Sequence, residues 1–387
     1  MKTNNKRKVF VGMSGGVDSS VSAAILKRDG HDVFGVFIKV WSPDWLPCTW
    51  REERRDTMRV AACLKIPLIT LDLEKEYKKD VADYMVREYR NGRIPNPDVM
   101  CNKVIKFGGF FDFAMRNGAD FVATGHYATT SCSVGEESAV TFPAHGKRGK
   151  FATKITADSS PRGATVLMAS EDKEKDQTYF LWTLTQRELS KTLFPIGNLQ
   201  KSEVRKLAKK FNLPNADKKD SQGLCFLGHV DMMEFLKHYI KQKTGKVLNT
   251  GGVAIGSHDG AAYYTIGQRH GFNTNNKTPE DLPWYVASKD IKKNILVVSH
   301  EKVIAGLKSK EVVISKVNWC GGVEPNLSKK YSARWRYRQP LYGIKIEKLR
   351  KKGLYKIVFD KDQESIAQGQ SVVMYDEETC LGGGIIV

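Results

Sequence analysis

Apolar and polar positions alternate in short blocks along the first third of the chain. Val9–Met13 is an apolar run, and the spacing that follows predicts a helix over about Val17–Arg28. Val33–Val40 reads as a buried strand and Arg51–Leu64 as a helix. Leu68–Leu71 is a short strand, Lys75–Tyr89 a helix and Asp120–Thr124 another strand. Such strand–helix alternation predicts a parallel sheet covered on both faces. Residues 131–165 break the pattern. They are rich in Ser, Gly, Lys and Thr without a period, and read as a surface insertion. Strand texture returns at Thr165–Ala169, with helices expected over Gln177–Leu184 and Lys201–Phe211. Past Gly228 a helix over Met232–Gln242 leads into a Gly-rich stretch. Six short alternating runs then follow, at Val312–Val317, Tyr331–Arg338, Ile344–Leu349, Leu354–Phe359, Ser371–Met374 and Gly382–Val387. They predict a small barrel. The expected architecture is α/β, with an N-terminal doubly wound parallel sheet over 1–228, a small central domain over 229–300 and a C-terminal β-barrel over 301–387.

Composition narrows the partners. The chain has 387 residues, with 62 Lys and Arg against 43 Asp and Glu, a formal charge of +19. That excess suits a polyanion, most simply nucleic acid. No apolar run is long enough to span a bilayer, and Met1–Lys8 lacks the apolar stretch of a secretion signal. Seven cysteines without a CxxC pair fit neither a disulfide framework nor a metal ribbon, so a reducing cytoplasm and no metal site are expected.

Three segments carry chemistry. Gly12-Met13-Ser14-Gly15-Gly16-Val17-Asp18-Ser19 directly follows the first strand. Its glycines turn tightly, its hydroxyls add donors, and the next helix points its positive end at an anion. The Gly-Lys-Ser/Thr of the common phosphate loop is missing, so no lysine of the loop can reach a terminal phosphate. Ser-Gly-Gly-Val-Asp-Ser resembles the signature of the N-type ATP pyrophosphatases, whose fold is adenine nucleotide alpha hydrolase-like. In Pro95-Asn96-Pro97-Asp98-Val99-Met100-Cys101, two prolines predict a stiff non-helical loop that places Cys101 just before a helix starting near Lys103. There the dipole would favour the thiolate. Cys225 sits between Gly223 and Gly228. Without such surroundings either cysteine would read as a packed core residue, which is the reading for Cys48, Cys63, Cys132, Cys320 and Cys380. Arg334, Arg336 and Arg338 alternate with Ala333, Trp335 and Tyr337, predicting one packed face and one phosphate-binding face.

The loop, the Asn96–Phe107 segment, Gly125-His126-Tyr127-Ala128, Lys175-Asp176-Gln177, Cys225 and Tyr264-Thr265-Ile266-Gly267-Gln268-Arg269 occur in one order. Together, and over nearly the whole chain, they resemble the tRNA-specific 2-thiouridylase (MnmA) family. Two departures are a longer 131–165 stretch and a Leu-Cys-Phe setting for Cys225. The resemblance implies that uridine 34 of Lys, Glu and Gln tRNAs is adenylated at O2 and then receives sulfur from a Cys225 persulfide. Cys101 would release it and leave a transient Cys101–Cys225 disulfide, with Asp98 assisting at the base. It implies ATP over Gly12–Ser19, with Ile38 near the adenine, Gly125 near the ribose or phosphates, and Mg²⁺ on the pyrophosphate. It places Asn96, Pro97, Asp98, His126, Lys175, Asp176, Gln177, Arg336, Tyr337 and Gln370 near tRNA. A sulfur-carrier protein is the expected partner of a monomeric, cytoplasmic enzyme. Another ATP-pyrophosphatase remains an alternative. A glutamine-dependent synthetase would need a glutaminase domain, and a 4-thiouridine synthase an RNA-binding module ahead of the loop; only eight residues precede Val9. A non-catalytic tRNA-binding protein is the other alternative.

Overall fold

The computed structural model describes residues 6–46, 50–132, 163–220, 231–275, 282–301, 309–364 and 366–387. Among the described residues, seven strands precede the central domain: β1 Lys8–Met13, β2 Asp32–Lys39, β3 Leu68–Asp72, β4 Phe121–Ala123, β5 Thr129–Cys132, β6 Thr165–Met168 and β7 Thr192–Leu193. Five of them form a sheet in the order β3-β2-β1-β4-β7, and its β1–β2, β2–β3, β1–β4 and β4–β7 pairings are all parallel. The chain lays down β2 and β3 on one side of β1 and then returns to place β4 on the other. The switch point therefore lies between the carboxyl ends of β1 and β4, where α/β sheets hold ligands. Helices α1 Val17–Arg28 and α2 Trp50–Leu64 follow β1 and β2. Val9, Val11, Val21, Leu26, Val60 and Ala123 share one buried cluster; Phe10, Val36, Ile38 and Val122 belong to another. Alternate residues of β1 thus feed two cores, as a sheet covered on both faces requires.

The central domain begins with a helix over Met232–Tyr239 and carries β8 Gly245–Asn249, β9 Ala254–His258, β10 Asn273–Thr274, β11 Tyr285–Asp290 and β12 Ile295–Ser299. These form a five-stranded sheet ordered β10-β9-β8-β12-β11. The six C-terminal strands are β13 Ser309–Trp319, β14 Tyr331–Arg334, β15 Tyr342–Lys348, β16 Tyr355–Gln363, β17 Ser371–Asp376 and β18 Thr379–Ile386. β13 pairs with both β16 and β18, so the barrel closes and has no free edge of its own. Its interior is filled by Ile314, Trp335, Ile344, Ile346, Ile357, Phe359, Val372 and Met374.

The strand expected at Thr165–Ala169 forms as β6; it pairs with β5 and with β18, Thr379 opposite Met168, and extends the barrel sheet to eight strands. Of the expected insertion, 133–162 lies outside the described residues. Three expectations are corrected. Gln177–Leu184 holds only a 3₁₀ turn, Thr178–Phe180. Its polar groups are taken by tertiary partners: Gln177 N–H donates to the Tyr127 carbonyl (2.8 Å), and Tyr179 OH to the Trp335 carbonyl (2.8 Å). The strand expected over Tyr331–Arg338 ends at Arg334, and Arg338 has a positive φ of 62°. The three arginines therefore share no face. Finally, the helix near Lys103 starts at Pro97. Proline suits the first helical position, where its missing N–H costs nothing, and Asn96 caps it by accepting from Val99 N–H (3.1 Å).

Candidate active site

The loop after β1 is held from several directions. Ser19 Oγ donates to the Gly16 carbonyl (3.2 Å) and accepts from Ser14 N–H (3.3 Å). Ser20 Oγ donates to the same Gly16 carbonyl (2.8 Å). Asn215, buried and remote in sequence, donates to the Gly15 carbonyl (2.9 Å). Gly15 has φ +73°, and a Cβ there would lie 2.5 Å from the Glu53 carbonyl oxygen of α2. Gly16 caps α1 without a side-chain bond, so the helix's first N–H groups have no capping side chain and suit an anion. Gly125, at the end of β4, packs on the loop's far side. A Cβ on it would sit 2.6 Å from Ser19 N, inside the cradle. This glycine-lined cradle is the observation by which the residues fit a nucleotide polyphosphate. Of the residues assigned to ATP by resemblance, Gly12, Ser14, Gly16 and Asp18 are partly or fully exposed, whereas the side chains of Met13, Val17 and Ile38 are buried in the cores.

Asp18 is the carboxylate of the loop. It accepts from Tyr127 OH (3.0 Å) and from Lys201 Nζ (2.7 and 2.9 Å). Burial, and after it the Asp18 charge, pushes the Tyr127 phenol far up, so it stays a neutral donor. Lys201 also pairs with Asp220 at 2.8 Å. Asp220 is held further by Lys175 (3.0 Å) and Arg205 (2.7 Å). Burial alone would raise the Asp220 carboxyl, but the hydrogen bonds and charges of Lys201 and Lys175 outweigh it and hold it at about 2. Nothing in the sequence marks Lys201, Asp220 or Asn215 as neighbours of the loop. Lys201 opens a helix bearing a capping box, Gln200 with Glu203, but nothing local ties that helix to a loop far upstream.

His126 is buried, its Nδ1 2.8 Å from Thr124 Oγ1 and its Nε2 3.2 Å from Lys106 Nζ. Burial, with the Lys106 charge second, pushes its pKa well down. The ring is neutral, with Lys106 donating to Nε2 and Nδ1–H donating to Thr124.

The residues expected near tRNA gather along the seam between the first domain and the barrel. Gln177 Oε1 accepts from Tyr127 N–H (2.9 Å), which joins this segment to the loop. Tyr337 OH reaches the Lys175 carbonyl (3.5 Å), and its ring lies 4.6 Å from that of Phe180. Arg336 is exposed, and Gln370, half-buried, keeps an unpartnered buried Oε1. Asp176 is different: it is buried and ion-paired to the buried Arg334, with Thr178 Oγ1 donating to it (2.8 Å). Its side chain holds the seam together and does not face solvent, and Arg334 presents no guanidinium to phosphate. A cavity of about 280 Å³ opens at the seam, lined by Asn96, Val99, Met100, Lys103, Trp182 and Ser371 among others.

Cys101 does not line that cavity. It lies at the end of the first helical turns, fully buried beside Ile105 and Phe110. Asp98, two helical positions after Asn96, is half-buried. Cys225 lies outside the described residues. Cys63, expected to pack, is exposed, its Sγ 3.5 Å from the Asn212 carbonyl. Cys320 and Cys380 are buried as expected.

Comparison with known proteins fits this geometry. Three family models match in succession: a tRNA methyl transferase HUP domain over residues 7–229, a tRNA methyl transferase PRC-barrel domain over 233–300 and an aminomethyltransferase beta-barrel domain over 309–386. The tRNA-specific 2-thiouridylase MnmA of Streptococcus equi subsp. zooepidemicus is 43% identical over 389 residues, covering 100% of this chain and 96% of that protein. The protein of the same name from Streptococcus mutans is 41% identical at the same coverage. Among solved structures, NMN synthetase from Francisella tularensis matches with a TM-score of 0.33 at 15% identity, over 61% of this chain and 77% of that one; that likeness is too slight to bear on function. Over its full length, this chain belongs to the tRNA-specific 2-thiouridylase MnmA family.

Proposed function

We propose that the protein is an ATP-dependent sulfurtransferase that converts the wobble uridine 34 of Lys, Glu and Gln tRNAs to 2-thiouridine. Full-length membership of the 2-thiouridylase family carries this reading, and the glycine-lined cradle at the β1–β4 switch point supports its use of ATP. The division of labour follows domain limits of 1–228, 229–300 and 301–387. The first domain does the chemistry, and the seam with the barrel receives the anticodon loop, whose target base must leave its stack to be reached.

Uridine O2 attacks the α-phosphorus of ATP and pyrophosphate leaves. The loop N–H groups and the start of α1 stabilise the charge that develops. Mg²⁺ would be held through the phosphates, with Asp18 the one loop carboxylate that could join it; among the described residues no cluster of three metal-ligating side chains exists. When bound, it would neutralise the departing pyrophosphate. The terminal sulfur of a Cys225 persulfide, loaded by a sulfur-carrier protein, then attacks C2 and AMP leaves with the former O2. The Cys101 thiolate attacks Cys225 Sγ, the sulfur–sulfur bond breaks, and the departing sulfur remains on C2. A Cys101–Cys225 disulfide results, and an external dithiol reduces it. Because Cys101 is buried, its thiol must become accessible before this step. Asp98 assists proton transfer at the base. Asn96, Pro97, Lys175, Gln177, Arg336, Tyr337 and Gln370 position the RNA. A monomeric, cytoplasmic enzyme fits the reading, and no helix among the described residues is long and apolar enough to cross a membrane.

The test is a thiolation assay on unmodified tRNA transcript with ATP, Mg²⁺, a persulfide donor and a dithiol reductant, read by nucleoside mass spectrometry. Wild-type protein should produce 2-thiouridine. Cys225→Ser should produce none yet still release pyrophosphate in the presence of tRNA. Formation of 4-thiouridine, or of no thionucleoside with RNA bound, would favour the alternative readings.

A further inference from the structure

The loop after β1 has no lysine, yet an ammonium group stands in it. Lys201 Nζ lies 2.7 and 2.9 Å from the two carboxylate oxygens of Asp18, inside the loop sequence. The side chain is only 16% exposed, so its charge is committed to the site. Its backbone is fixed as well: Lys201 N–H donates to the buried Asp172 carboxylate (2.9 Å), and the capping box from Gln200 to Glu203 sets the helix start. The cation therefore reaches the loop from a rigid point.

A polyphosphate in the cradle would meet the Asp18 carboxylate at the mouth of α1, and two anions at that spacing repel unless a cation lies between them. Lys201 is the cation that lies against Asp18. Neither carboxylate it touches depends on it alone: Asp18 keeps Tyr127, and Asp220 keeps Lys175 and Arg205. The ammonium has three donors and can turn one toward phosphate without stripping either partner.

We propose that Lys201 is a phosphate-contacting residue of the ATP site, supplied in space where the loop sequence omits it, with Asp18 and Asp220 holding it ready. The proposal rests on the ATP reading above and adds the residue that meets the phosphates. It predicts a loss of affinity that depends on the phosphates of the ligand.

The experiment compares wild type, Lys201→Met and Lys201→Arg in equilibrium binding of α,β-methylene-ATP and of adenosine, with Mg²⁺ present. Lys201→Met should bind the triphosphate about tenfold or more weakly, the scale of one charge-assisted contact, and adenosine as wild type does. Lys201→Arg should recover most of the lost affinity. Equal weakening toward both ligands would mark a purely structural role and overturn the proposal, as would unchanged triphosphate affinity. If Lys201→Met melts below the assay temperature, Lys201→Gln is read by the same criteria. Failure of wild type to bind the triphosphate would instead overturn the ATP reading itself, before any variant is compared.

Discussion

Asp176 and Arg334 lie 158 positions apart and share a buried ion pair across the seam. Arg334 also donates to Tyr375 OH (3.0 and 3.2 Å). Removing one partner leaves the other charge buried and unpaired, which costs about 3–5 kcal/mol. Asp176→Asn should therefore lower the thermal midpoint sharply, while Arg336→Ala, at an exposed position, should leave it nearly unchanged; differential scanning fluorimetry decides. His126 carries a pH prediction. Its folded pKa is pushed well below the ordinary value of 6.5. Below about pH 6.5 the unfolded chain takes up a proton that the folded ring refuses, so stability falls as pH drops through that point. His126→Asn should show a shallower fall in midpoint between pH 7.5 and 5.5 than wild type. His31 and His258, also shifted down by burial, keep part of the slope. At this scale the tight turn at Ser14–Gly16 was legible, because paired glycines between an apolar run and a helical pattern mark a strand-to-helix turn. Burial of Asp176 was not, since a Lys-Asp-Gln triplet reads the same whether its aspartate meets water or an arginine from the barrel.

Among elements, those with strong local signals matched. α1 runs over Val17–Arg28 as expected, and the helix expected over Lys201–Phe211 runs over Lys201–Lys210. Expectation and structure part where tertiary partners replace local bonds, as at Thr178–Phe180, and at Pro97, because Asn-Pro is also a cap followed by the first helical position, which welcomes proline. Asn96→Ala should cost about 0.5–2 kcal/mol, the usual value of a lost N-cap; urea titration gives the number. The end of β4 offers a sharper trial. Gly125→Ala would place a methyl group within 2.6 Å of Ser19 N, so the loop must shift. Binding of α,β-methylene-ATP should weaken at least as much as for Lys201→Met, and a variant that binds normally would show that the cradle is not the phosphate site.

For the whole molecule, charge and closure dominate. The excess of 62 basic over 43 acidic residues makes tRNA binding steeply salt-dependent, since each phosphate contact releases counterions. Removing one such contact should reduce the slope of log affinity against log salt by about 1. Filter binding of tRNA from 50 to 300 mM salt by wild type and Arg336→Ala measures this. An unchanged slope would take Arg336 off the RNA surface. The seam exists because β6 joins the barrel strand β18 and because Tyr179 and Asn318 bond across it: Tyr179 OH to the Trp335 carbonyl, and Asn318 Nδ2 to the carbonyls of Trp182 (2.7 Å) and Leu184 (2.9 Å).

Periodicity and a contiguous loop determined the parallel sheet, the barrel and the glycine-lined turn after β1, because each depends on residues within a few positions of one another. Tertiary structure alone decided that Lys201 stands at Asp18, that Asp176 is spent on Arg334, that Cys101 faces the core and that the β5–β6 hairpin belongs to the barrel. Each of these joins residues far apart in the chain, and the energy that selects the partner is burial and charge pairing, which leave no mark on the local pattern of either one.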